Sequence, residues 1–257
     1  MLKFRFRDIQ LNYSVEGAGE PLLFLHGFLE ESSIWQDIIP AFISDHQCIL
    51  VDLPGHGYSR LENAQITLQE IALALHSLAQ KIEIEKPVVI GHSMGGYVAL
   101  ELAQLMACSP VLLHSNFWED SAEKKKDRDR VIDVLQDNAS LFIQEAIPNL
   151  FAIENRSACS TAIENLITKA KKLPYHEIQS MTAAMRDRRA NYYIAKAERV
   201  DIIHGEKDPI IPTEKLMSEV PNLKLEYSLH TMTQVGHMSI WEDPEELIML
   251  LKSIISQ

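Results

Sequence analysis

The sequence predicts an α/β fold: a mostly parallel sheet flanked by helices and broken once by a helical insertion. Three observations predict it. Short apolar runs of strand length recur at residues 22–25, 48–51, 87–90 and 111–113, and again at 200–204 with one acid inside. Such runs are the pattern of strands buried on both faces. Segments of helical period lie between them, giving repeated β-α-β units and hence helices on both faces of a parallel sheet. From about residue 116 to 197 the strand runs stop and only helical spacing remains.

The elements follow in order. Residues 2–7 and 10–16 alternate apolar and polar and end at Gly17-Ala18-Gly19, as an antiparallel pair with one wet face does. After the strand at 22–25, Ser33-Ile34-Trp35-Gln36 has capping-box spacing, with Ile34, Ile38 and Phe42 at helical intervals. The strand at 48–51 ends at Asp52. Thr67-Leu68-Gln69-Glu70 then opens a helix with Ile71, Leu75, Leu78 and Ile82 on one face. A strand at 87–90 precedes a helix at 94–106 with Val98, Leu102 and Leu105 facing in, and 111–113 is the next strand.

Within the insertion, the mixed charges of 119–130 read as a solvated helix face. Residues 141–147, 163–170 and 178–185 have helical spacing, and Ser140 and Pro174 stand at helix starts. The β/α rhythm resumes with a strand at 200–204, a helix at 213–219, a strand at 223–228 and a final helix at 244–255. The expected organisation is a core of residues 1–115 and 198–257, with residues 116–197 inserted as a unit of small-domain size.

Composition narrows the function classes. The chain has 257 residues, 46% of them hydrophobic, enough for a sizeable core without a metal or disulfide staple. A formal net charge of −12 leaves no cationic excess to neutralise phosphates, which argues against nucleic-acid and anionic-membrane partners. It also disfavours a multiply anionic substrate unless a local Arg cluster reverses the field. Cys48, Cys108 and Cys159 are odd in number and widely spaced, so neither a disulfide framework nor a Cys-rich metal site is expected. No apolar stretch has transmembrane length, the N-terminal segment alternates like a strand rather than a signal peptide, and a cytoplasmic location is the expectation.

Chemistry concentrates in four places. Gly91-His92-Ser93-Met94-Gly95 is a G-x-S-x-G between an apolar strand and an amphipathic helix, the context a nucleophile elbow requires. A serine hydroxyl needs a base at neutral pH. His237, after the last strand and before the last helix, is placed to serve, although the chain has ten histidines. Gly205-Glu206-Lys207-Asp208-Pro209 follows the strand at 200–204, and a carboxylate there could fix the tautomer of that base. Asp208 is the choice; Glu206, and Glu119 or Asp120 after the earlier strand, are rivals. An oxyanion hole would use the backbone N–H groups of Phe28, in the loop His26-Gly27-Phe28, and of Met94, the latter at a helix N-terminus. His26 reads as a loop-shaping residue.

Together these residues resemble the α/β-hydrolase family, in its serine hydrolase branch with a helical cap. Asp52-Leu53-Pro54-Gly55-His56-Gly57-Tyr58-Ser59 is similar to that family's loop after its fourth strand, and Trp241-Glu242-Asp243-Pro244-Glu245 to the start of its last helix. The resemblance implies an eight-stranded, mostly parallel sheet roofed by the cap, and acyl-enzyme chemistry with no cofactor; no metal is expected either, since no histidine pair has helix-face ligand spacing beside a suitable carboxylate. Epoxide hydrolases and haloalkane dehalogenases place Asp at the elbow, so Ser93 argues against both. Carbon–carbon bond hydrolases of the meta-cleavage type usually carry Trp after the base, where this chain has Met238. Menaquinone-pathway members rely on arginines around elbow and cap, where this elbow offers His92 and Tyr97. Asp201 lies in a strand the family fills with apolar residues, as though that strand were frayed or shifted.

The expected activity is cleavage of a small-molecule carboxylic ester, with Ser93, Asp208 and His237 as triad. A thioesterase or acyl transferase would use the same parts, and a slow-turnover ligand receptor on the hydrolase fold is the reading from another class. Trp118, Met181, Met185 and Tyr192, together with Phe117, Phe151 and Tyr193, are candidates to line a pocket for a small or medium apolar acyl group.

Overall fold

A computed structural model describes residues 1–62 and 65–256 of the chain. Its sheet begins with β1 (Leu2–Phe6) and β2 (Ile9–Glu16), an antiparallel hairpin, and β2 also pairs antiparallel with β4 (His46–Asp52). From β4 onward the pairing is parallel, through β3 (Glu20–Leu25), β6 (Val88–His92), β7 (Ser109–Leu113), β8 (Arg199–Gly205) and β9 (Glu226–Met232). The order β1-β2-β4-β3-β6-β7-β8-β9 contains the eight expected strands. A two-residue β5 (Arg60–Leu61), too short to leave a periodic signal, pairs with β2.

Alternation along the strands divides the core in two. Leu23 and Leu25 of β3, Ile49 and Val51 of β4 and Leu112 of β7 join one cluster, together with Ile71, Leu75 and Leu78 of α1 (Leu68–Lys81) and Val98 and Leu102 of α2 (Met94–Leu102). Their neighbours Leu22, Phe24, Cys48, Leu50, Val111 and Leu113 join a second cluster on the other face. The capping box is present: Glu70 N–H donates to Thr67 Oγ1 at 3.2 Å and Thr67 N–H to Glu70 Oε2 at 2.8 Å. Two orphan donors at this helix start are thereby satisfied.

Between β7 and β8 lie α3 (Ala122–Ala146), α4 (Ser160–Ala170) and α5 (Tyr175–Arg186). Asn138 interrupts α3 with φ −142° and ψ 42°, two residues before the helix start expected at Ser140. Pro174 sits at the N-cap of α5. The chain ends with α6 (Thr213–Glu219), α7 (Ser239–Glu242) and α8 (Pro244–Ile255). No helix among the described residues is long and apolar enough to cross a membrane.

Four expectations need correction. The helix expected from Ser33 is a pair of short 3-10 turns, Ser32–Trp35 and Ile39–Ala41. Pro40 withholds a donor from any longer helix, and Ser33 Oγ donates to Glu31 Oε1 instead of capping. The helix from Met94 ends at Leu102 rather than 106. The strand expected at 223–228 begins three residues later, because Val220–Asn222 forms a 3-10 turn and Leu223 packs into the core behind it. The strand around Asp201 is neither frayed nor shifted: Asp201 pairs in register with Val111 and Ser228. Its buried carboxylate accepts from Arg199 Nη2 at 2.7 Å and lies 3.4 Å from His230 Nε2.

Candidate active site

The carboxyl ends of the parallel strands gather the candidate residues, where open α/β sheets place their functional crevice. At the end of β6 the chain turns sharply into α2, and Ser93 sits between them at φ 49°, ψ −114°. This is a strained conformation for a residue with a Cβ. It is over-determined by its surroundings: Ser93 N–H donates to Leu113 O at 2.9 Å, and Ser93 O accepts from Ser115 Oγ at 2.6 Å. The turn also needs its glycines. A Cβ on Gly91 would meet Gly95 O at 2.5 Å, and one on Gly95 would meet Leu25 O at 2.3 Å.

Asp208 follows β8. Its Oδ1 accepts from the N–H groups of Ile210 and Ile211 at 2.7 and 3.0 Å, which fixes the side chain within its own loop. Its Oδ2 lies 2.7 Å from His237 Nδ1. Burial alone would raise this carboxyl's pKa, but the facing His237 and His114 outweigh it and hold the group well below the usual carboxylate range. Asp208 is therefore an acceptor, His237 Nδ1 carries the proton, and Nε2 is left free to take one. Of the rival acids, Glu206 and Glu119 are exposed. Asp120 is engaged elsewhere, with Arg188 at 2.7 Å and Arg128 at 3.0 Å.

Ser93 and His237 line one cavity of about 270 Å³, with Phe28, Phe142, Ile147 and Met185 among its apolar walls. The amides of Phe28 and Met94 donate no hydrogen bond among the described residues, whereas the N–H groups flanking Phe28 are occupied. Gly27 N–H donates to Glu30 Oε2 at 2.6 Å and Leu29 N–H to His56 Nε2 at 3.1 Å. His26 shapes the same loop. Its Nε2 accepts from Leu53 N–H at 2.8 Å, which leaves Nδ1–H to donate to Gly27 O at 2.7 Å. Burial pushes His56 down to about 3 and lowers His26 as well, so both rings are neutral struts between two loops.

The pocket candidates separate. Met185 lines the cavity that holds Ser93. Trp118 and Tyr192 line a neighbouring polar cavity of about 480 Å³ instead, and Tyr97, Lys124, Arg128 and Ile210 border both. Met181 is fully buried in the core and lines neither, and Phe117 and Phe151 are core residues too. Tyr193 is exposed. Helical spacing marks an inward face but does not say whether a core or a cavity lies beneath it.

Three features stand out here that motif reading passes over. His114, at φ 45° after β7, accepts or donates at Nε2 to Ser239 Oγ at 2.7 Å and places Nδ1 3.6 Å from Asp208 Oδ2. Burial lowers it to about 4, so it packs beside the acid as a neutral ring. Its position at the end of a buried parallel strand was the available signal. His92 and Glu30 form a buried pair at 2.9 Å. Glu242 of α7 stitches the loop carrying His237 to the insertion. Its Oε2 accepts from the N–H groups of Gly236 and Ala152, both at 3.0 Å, and its Oε1 from Met238 N–H at 3.0 Å. His237 N–H itself donates to Leu150 O at 2.9 Å.

Comparison with known proteins places the chain in a family. The model described as "Alpha/beta hydrolase family" matches residues 22–250. A dihydrolipoyllysine-residue acetyltransferase component of the acetoin cleaving system from Cupriavidus necator is 27% identical, over 97% of this chain and 68% of that protein. A pyrrolizixenacetamide deacetylase from Xenorhabdus hominickii is 24% identical, over 99% of this chain and 98% of that one. Among solved structures, a thermophilic esterase from Thermogutta terrifontis superposes with a TM-score of 0.88 at 24% identity, over 96% and 93% of the two chains.

Proposed function

Since the chain belongs to the α/β hydrolase family, we propose that it cleaves a small-molecule carboxylic ester through an acyl-enzyme formed on Ser93. The observation that carries the reading is the 2.7 Å contact of His237 Nδ1 with an ionised Asp208, with His237 and Ser93 lining one cavity. His237 Nε2 takes the Ser93 proton as Oγ attacks the ester carbonyl. The free amides of Phe28 and Met94 receive the developing oxyanion, each donor contributing about 3 kcal/mol to the transition state. The protonated His237 then gives its proton to the departing alcohol. Water, deprotonated by the same ring, releases the acid and frees Ser93. Residues 116–197 act as the cap, supplying Phe142, Ile147 and Met185 to an acyl site suited to a small or medium apolar chain.

The esterase and deacetylase named above are compatible with this acyl chemistry. A thioester or an acceptor other than water would engage the same residues. The test is intact mass after treatment with a fluorophosphonate probe, followed by peptide mapping and an ester screen by chain length. A single adduct on Ser93, absent in Ser93→Ala, together with turnover of activated esters is the expected result. Full activity in Ser93→Ala would sink the mechanism.

A further inference from the structure

Glu30 and His92 are the charged-type pair that the ester mechanism leaves unused, and both are almost wholly buried, their side chains 3% and 0% exposed. Each of their polar contacts touches a different part of the site. His92 Nε2 lies 2.9 Å from the carbonyl oxygen of His237. A carbonyl only accepts, so this nitrogen carries a proton. His92 Nδ1 lies 2.9 Å from Glu30 Oε2, which also takes the Gly27 N–H at 2.6 Å. The Gly27 N–H aimed at the same oxygen favours a carboxylate there, which puts the shared proton on Nδ1. These contacts fit an imidazolium at His92 facing a carboxylate at Glu30.

The electrostatics agree. Burial opposes charge on both groups, yet the facing Glu30 raises His92 and the facing His92 lowers Glu30. The rings of His237 and His114 pack against His92 at 5.2 and 6.0 Å. In such an interior an ion pair persists only when its hydrogen bonds are satisfied, and removing one partner strands the other charge.

We propose that the Glu30–His92 pair is a positioning device that locks the loop bearing the Phe28 amide to the loop bearing His237. This rests on the ester-hydrolase reading of the site. His92 is adjacent to Ser93 in the chain, Glu30 holds the amide next to Phe28, and His92 holds the carbonyl of His237. One ion pair thus fixes the relative placement of nucleophile, oxyanion donor and base. Its fit leaves no room for adjustment: a Cβ on Gly27 would lie 2.9 Å from both Glu30 oxygens and from His92 Nδ1. Glu30 also lines the Ser93 cavity, so the pair forms part of its wall.

The direct test uses the wild-type protein. Nitrogen-15 NMR of the imidazoles at pH 8, with His92 assigned by its loss in His92→Gln, should show both His92 nitrogens protonated. A neutral single tautomer would overturn the proposal. Glu30→Gln keeps the shape but removes the charge. It should lower kcat for an activated ester on the order of 100-fold, the scale of an ångström-sized misplacement, while KM stays near its wild-type value. Affinity for a boronic acid transition-state analogue should fall by the same factor. The His237 ring and Phe28 amide resonances should shift together. A variant that melts earlier but retains its kcat, or one whose His237 and Phe28 resonances are unmoved, refutes the coupling. Should wild type turn over no ester and form no adduct on Ser93, the ester reading falls, and the two NMR readouts still decide the pair. If Glu30→Gln does not fold, the wild-type protonation measurement decides on its own.

Discussion

Asp208→Asn isolates what the carboxylate does for His237. The amide side chain can keep an oxygen toward the Ile210 and Ile211 N–H groups, which bind at 2.7 and 3.0 Å, so the loop retains its bonds. That choice turns the NH₂ toward His237 Nδ1, where Oδ2 now accepts at 2.7 Å. Two donors cannot face one another, so the imidazole must move its proton to Nε2, the nitrogen needed free for Ser93. Inverting a catalytic tautomer in this way costs about 10⁴-fold in kcat, equivalent to about 5 kcal/mol of barrier. Burst-phase stopped-flow with an activated ester gives the acylation rate, and nitrogen-15 NMR reads which His237 nitrogen is protonated. The same substitution removes a group whose folded pKa is depressed. That group contributes stability above the unfolded carboxylate pKa of about 4, lost as pH falls through the lower folded value. The variant's melting temperature should therefore approach that of wild type in strong acid. An Asp208→Asn variant retaining more than about a tenth of wild-type acylation, or an unchanged His237 tautomer, would refute the assignment of Asp208.

Three further outcomes are expected. Ala146→Trp adds an indole to the cavity of about 270 Å³ that holds Ser93. It should lower the ratio of hexanoate to acetate ester turnover on the order of tenfold, whereas an unchanged chain-length profile would place the acyl group elsewhere. Met181→Ala empties a fully buried core position; it should cost about 2–5 kcal/mol in urea denaturation and leave that profile as it was. Thr67→Ala removes the side-chain acceptor of the α1 capping box and should cost about 1 kcal/mol, a drop of roughly 2–4 °C in melting temperature.

Legibility in the sequence followed the physics of each feature. Central strands announce themselves because burial on both faces demands apolar runs, as at Leu22 to Leu25. The edge strand β9 gives a weaker signal, and its start is misplaced by three residues, since its side chains are largely half-exposed or exposed. Ser93 was readable because the elbow needs a local strand–Gly–Ser–Gly–helix arrangement within a few residues. His237 and Asp208 needed chain order as a guide, their contact spanning 29 residues. His114 and Glu30 carried no local signature, because each acts through partners far away in the chain; Glu30 and His92 lie 62 residues apart. Pocket walls were the least legible: Met181 and Met185 are one helical turn apart on α5, yet one is core and the other faces a cavity.

The Glu242 clasp has a mechanical consequence. Since Glu242 joins Gly236 and Met238 to Ala152, and Leu150 takes the His237 amide, the middle of the insertion around Leu150 to Ala152 and the segment carrying His237 form one stiff joint. The insertion cannot rise as a rigid roof without dragging the imidazole from its partner. Any widening of the entrance that spares the machinery beneath must pivot around this joint.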